Sequence, residues 1–241
     1  MLIGLVSAKG SPGVTTAALV LAACAGPDGL MIEMDPSGGS LESWTGVSGE
    51  PGLVRVASGL RRSLDPSAVE HGATSVPAGV ASVLAPVSGQ LAESTIAAIG
   101  ERLTTAMTES ERIVVLDAGR WCRSQPTARR IAGCDAVAIV CHPTIGSIEA
   151  ARALFDSLDA TTAAPVSLLL VGDRPYSAAE VTSATGLPVI GLLPWAGREV
   201  NALLVGGASR GWMRTGIARS AKSVLSALTT NSATTMQGVV A

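Results

Sequence analysis

The sequence predicts an α/β fold, with a mostly parallel central sheet of about seven strands and helices on both faces. Three observations carry this. Short apolar runs of strand length alternate with helical spacing along the chain, the pattern of a layered parallel sheet. The segment TTAALVLAACA, residues 15–25, is a helix with no polar face, and such a helix has to be buried. Hydrophobic residues make up 47% of the 241 and charged residues 15%. An average soluble chain is about 25% charged, and the apolar surplus suits a sheet covered on both sides.

The elements follow in order. LIGLV (2–6) is the first strand. The loop AKGSPGVTT then leads into the apolar helix and has the form of a phosphate-binding loop. Gly10 and Gly13 let backbone N–H groups turn toward an anion, and the helix N-terminus adds its positive dipole end. Thr15 stands where such loops place a Mg²⁺-binding hydroxyl, and Val14 stands where they place a Lys. GLMIEM (29–34) is a second strand, running into Asp35 and a Gly/Ser loop. Residues 45–79 are looser, with helical spacing in GLVRVASGLRR and a short helix from near Asp65.

VASVLAP (80–86) is the third strand, and 91–107 has helical spacing. ERIVVLDAGR (111–120) is a buried strand ending at Asp117, followed by a short helix in QPTARRIAG. DAVAIVCHP is a strand and GSIEAARALFDSL a helix. VSLLLVGDR, SAAEVTSATG and LPVIGLLPW form a strand–helix–strand unit. The last helix is RGWMRTGIARSAKSVLSAL. A single domain therefore spans 1–228, and the small polar residues 229–241 are expected to be a disordered tail. In such a sheet ligands bind at the carboxyl ends of the strands. Lys9 to Thr16, Asp35, Asp117, Asp173 and Pro194 all fall near those ends.

Composition narrows the function classes. The net charge of −2 gives no global reason to expect nucleic acid. Two His and four Cys without a C-x-x-C pair make a zinc site unexpected. The longest apolar stretch, 17–26, is about half the roughly 20 residues that span a bilayer, so no membrane span is expected. No basic region precedes LIGLV, so no export signal is read, and free thiols then fit a cytoplasmic protein.

The motifs together resemble the ParA/MinD superfamily of deviant Walker A ATPases, P-loop NTPases in which a signature Lys opens the loop. KGSPGVTT is similar to the deviant loop and IEMDPSGGSL to the segment with a switch carboxylate. IVVLDAG is similar to the Walker B strand, and VIGLLPW to the strand whose following loop borders adenine. GLVRVASGLR, a His, and PAGVASVLAP look most like the TadZ/CpaE branch, whose members localise pilus or secretion machinery.

The resemblance implies ATP and Mg²⁺ as ligands. It makes Lys9 the signature Lys that crosses a homodimer interface, and Gly10 and Gly13 the loop glycines. Thr15 would be a Mg²⁺ ligand and Thr16 a further phosphate contact. Asp35 would be the switch carboxylate that orients water and Asp117 the Walker B carboxylate. Asp173 falls where Asn often contacts adenine, and Pro194 on the adenine loop. Two departures stand out: Ser11 replaces a glycine, and Val14 replaces the phosphate-binding Lys. Phosphoryl transfer depends on positioning and on electrostatic stabilisation of the phosphates, so binding with weak or no hydrolysis is expected.

The expected function is a dimeric positioning or assembly factor with a protein partner in a secretion, pilus or partition system. The alternatives are a DNA-partition ATPase and a nucleotide-free scaffold. Simpler roles stand beside the site assignments. Asp35 suits turn chemistry, Thr15 and Thr16 suit helix caps, and Asp173 can pair with Arg174. Trp44, Trp121 and Trp195 suit either packing or an association surface, and His142 a strand-end hydrogen bond. In the last helix Arg210, Arg214, Arg219 and Lys222 are basic. Met213, Ile217, Ala221, Val224 and Leu228 form its apolar stripe.

Overall fold

The computed structural model describes residues 1–108, 110–121, 131, 133–206 and 211–238, and the side chains up to residue 232. Most of the helix expected in QPTARRIAG, together with Cys122 and Arg210, lies outside them. The strands are β1 (Leu2–Ser7), β2 (Gly29–Glu33), β3 (Thr74–Ser75), β4 (Ala81–Val83), β5 (Ile113–Arg120), β6 (Ala136–Cys141), β7 (Val166–Val171) and β8 (Val189–Leu193). They form one sheet in the order β3-β4-β2-β5-β1-β6-β7-β8. Every pairing is parallel except that of β3 with β4. The two-residue strand β3 is too short to show a period, and it is the eighth strand beyond the seven expected.

Alternation along the strands separates two apolar layers, because successive side chains point to opposite faces. In β1, Ile3 and Leu5 join one layer, and Leu2 and Val6 the other. The first layer is built around α1 (Val14–Cys24), which packs on β5 and on the last helix, α10 (Gly216–Gly238). The apolar stripe of α10 is consumed there: Ile217, Ala221, Val224 and Leu228 are buried, while Arg214, Arg219 and Lys222 stay exposed. Among the described residues no helix is long and apolar enough to cross a membrane.

The second layer is covered by α3 (Gly52–Leu60), α5 (Gly89–Ile99), α6 (Arg102–Met107), α7 (Ile145–Asp159) and α8 (Ala178–Thr185). Shorter helices are α2 (Leu41–Thr45) and α4 (Ser67–Glu70). The helical spacing over 91–107 is broken in two by Gly100, whose φ of 57° ends α5. A helix without a sequence expectation, α9 (Gly197–Gly206), follows β8. The last helix continues past Leu228 to Gly238. Residues 229–238, read from the sequence as tail, add turns to a nucleus already formed, and propagation costs little once nucleation is done.

Candidate functional site

The glycine loop grows directly out of the centre of the sheet. β1 ends at Ser7, and Gly10 (φ 72°) and Gly13 (φ 93°) take left-handed conformations open to glycine. Gly13 is the N-cap of α1 and no side chain caps it. The Ala17 N–H bonds to the Gly13 carbonyl, so the N–H groups of Val14, Thr15 and Thr16 have no acceptor inside the helix. A Cβ built on Gly10 would meet nothing within 4 Å. These backbone donors edge a cavity of about 670 Å³, within the size range of small-molecule sites.

Gly10, Ser11, Gly13, Val14, Thr15, Thr16, Asp35 and Pro194 all line this cavity. Lys9 is exposed and does not line it; neither does Asp173, which is also exposed. Asp117 lies below the floor, three residues before the end of β5 rather than at its end, and is 1% exposed. The Thr15 side chain beside it favours its charged form, and its Oδ1 accepts from the Gly119 N–H at 3.0 Å. Burial pushes the Asp117 carboxyl up to about 7, against the pull of Thr15 and with further upward pressure from Glu33 and Asp35. A cation above Thr15 would offset that cost, so the residues present fit a divalent ion held through Thr15, Asp35 and Asp117.

Asp35 follows β2, with its Oδ1 accepting from the Ser37 N–H at 2.8 Å. That is turn chemistry, and it leaves the carboxylate at the cavity wall. Gly119 (φ 61°) makes room for it: a Cβ there would fall on the Asp35 carboxylate. Glu33, one strand position across from Asp117, is a site residue that the sequence reading missed. It is buried and holds three backbone donors, Ser40 N at 2.7 Å, Leu41 N at 2.9 Å and Ala85 N at 3.1 Å. Burial raises its carboxyl above the ordinary range while those three bonds pull the other way. It fixes the turn that puts Ser37 and Ser40 into the cavity wall. The signal was present: an acid inside the apolar strand GLMIEM needs partners.

The opposite wall is apolar, made by Val171, Leu193, Pro194 and Trp195 with Val200 and Ile217. Trp195 is 76% exposed, and its ring lies 5.9 Å from that of His142. His142 bonds the Val171 carbonyl through Nδ1 at 3.0 Å, the strand-end role. Trp44 stands at the mouth on the Asp35 side, and Trp121 packs against the core. Among the described residues no cluster of His, Cys, Asp or Glu has metal-site geometry by itself.

The sequence matches no protein-family model, and comparison with curated proteins gives no match. Solved structures do match. The cell-division ATPase MinD of Pyrococcus furiosus superposes with a TM-score of 0.75 at 15% identity, over 95% of this chain and 98% of that one. The septum site-determining protein MinD of Pyrococcus horikoshii, complexed with Mg-ADP, gives 0.73 at 16% identity over 93% of each chain. A ParA-family ATPase of Chlorobium tepidum gives 0.73 at 17% identity, over 93% of this chain and 98% of the other. The fold is therefore the MinD/ParA fold, the one expected from the loop motifs.

Proposed function

We propose that the chain is a ParA/MinD-like nucleotide-binding protein that takes ATP with Mg²⁺ in the cavity above α1. The observation that carries this is one arrangement: open glycine-loop N–H groups at the head of a buried helix, with Thr15 in the cavity lining and the buried Asp117 carboxyl next to it. The loop amides bind and orient the phosphates. Thr15, Asp117 and Asp35 hold the metal, which supplies charge neutralisation of the phosphate oxygens when bound. The apolar wall from Leu193 to Trp195 excludes water from the base. Val14 is 6% exposed and packs into the core beside the loop, so no ammonium reaches the phosphates from the usual place. Turnover is accordingly weak or absent.

The protein then works as a nucleotide-responsive dimer that positions or assembles a partner, as TadZ/CpaE-like proteins do. Exposed Lys9, outside its own cavity, suits a contact across that dimer. Calorimetric titration with ATP, ADP and GTP plus Mg²⁺, with mass measured in parallel, tests the reading. Saturable binding and an ATP-dependent mass doubling that Lys9→Ala abolishes are expected. No heat and no rise in melting temperature at high ATP would overturn it. That result would leave the nucleotide-free scaffold, the second reading, which the apolar side chain at Val14 favours.

A further inference from the structure

We propose that Arg120 is the phosphate-binding cation of this cavity, replacing from β5 the ammonium that is missing at position 14. The proposal rests on the nucleotide-binding reading above and adds to it the residue that recognises the polyphosphate. Among the described residues that line the cavity, Arg120 is the only cation. Lys9, the cation within the loop itself, lies outside the lining.

The backbone brings Arg120 there by an irregularity. β1 and β5 pair in register from Leu2↔Val114 to Leu5↔Asp117, and the register then shifts, so that Ser7 pairs with Arg120. Two steps along β1 are matched by three along β5, a bulge. An extra residue reverses which face the following side chain takes, and bulges re-aim side chains beside sites. The bulge is fixed by Gly119 in its left-handed conformation and by the Trp121 N–H, which donates to the Ser7 carbonyl at 2.7 Å. Without the shift Gly119, not Arg120, would stand opposite Ser7, where β1 gives way to the glycine loop.

The Arg120 side chain is exposed and makes no hydrogen bond or ion pair with any described residue. The ion pair found within 4.0 Å among them is Arg112–Glu70, at a remote position. Even Asp35, whose carboxylate touches the same Gly119, is not paired with it. No described residue occupies its five donors, which leaves them to a ligand. A guanidinium stays charged at any working pH and forms two parallel bonds to phosphate oxygens. The carboxylates at Asp35 and Asp117 would otherwise leave the phosphate end of the cavity with negative side-chain charge only.

The test is calorimetric titration of wild type, Arg120→Ala, Arg120→Lys and the double variant Arg120→Ala/Val14→Lys. The titrants are Mg-ATP and inorganic tripolyphosphate, at two salt concentrations. The ligand-free melting temperature of each variant is measured alongside, and Arg120→Gln replaces the alanine variant if that one does not fold. Arg120→Ala should lose about tenfold or more in affinity for both ligands. Its affinity should also depend less on salt. Arg120→Lys should keep part of the affinity, and Val14→Lys should restore it in the double variant. If wild type binds Mg-ATP and Arg120→Ala binds within about twofold of it, the assignment of Arg120 falls and the nucleotide reading stands. If wild type binds neither titrant, both fall.

Discussion

Two glycine-bearing turns border the cavity, and they use glycine for opposite reasons. In the turn after β1, a Cβ on Gly10 would meet open space. In the turn after β2, a Cβ on Gly39 would strike the Ala85 carbonyl and come within 2.6 Å of Glu33 Oε2. The second turn is packed against its neighbours and tied to the buried Glu33 by two N–H bonds. The first has few internal ties, and its donors face outward. One turn is a structural joint. The other keeps its backbone free for something that is not part of the chain.

Breaking the joint should cost most. Glu33→Ala leaves the N–H groups of Ser40, Leu41 and Ala85 buried and unpaired, at about 1–3 kcal/mol each. A net loss of about 3 kcal/mol or more is expected, read from the urea midpoint. A loss below about 1 kcal/mol would mean that the turn finds other acceptors, and the contrast would collapse. Gly39→Ala comes next, at about 1–3 kcal/mol from overpacking alone, since its own φ is unremarkable.

Gly10→Ala tests the other turn. Its only penalty is a positive φ of 72°, about 1–2 kcal/mol, partly offset by a stiffer unfolded chain. A loss of about 1 kcal/mol by the same denaturation measurement is expected. A cost larger than that of Gly39→Ala would show that the first turn is packed after all.

The last effect is a slope with pH. Asp117 sits at about 7 when folded and near 3.9 when unfolded. Between those values the folded state binds the extra proton, so stability falls as pH rises and levels off above about 7. Glu33, also raised, adds a slope of the same sign. Melting curves of the ligand-free protein from pH 4.5 to 7.5 should show this decline, and Asp117→Asn should flatten it in part. Saturating Mg-ATP should flatten it as well, because a bound cation takes the place of the proton.

Much of this frame was legible beforehand. The strands β1, β2 and β5 to β8 are continuous apolar runs, and a buried parallel strand can hardly be anything else. The apolar α1 announced its own central position. The lining residues from Gly10 to Thr16 came from a loop motif whose spacing is set by backbone geometry, not by distant packing, and Asp35 and Pro194 came from the family resemblance of the segments after β2 and β8. Other features depend on contacts between segments far apart in sequence. Glu33 reaches Ala85 across 52 residues. Arg120 joins the cavity lining at a register shift between strands over a hundred residues apart. The edge strand β3 has two residues and no period to detect. Asp173 follows β7 as expected, yet the turn begun by Gly172 (φ 88°) leaves it exposed and away from the lining.

The placement of the indoles has a practical consequence. The chain has four tryptophans, and two of them, Trp44 and Trp195, line the cavity and are exposed while Trp212 is sealed in the interior. The protein thus carries its own optical gauge. Emission from the two rim indoles reports when water leaves the mouth, against a background from Trp121 and the sealed Trp212. Changing each rim indole to Phe in turn would show which wall moves first.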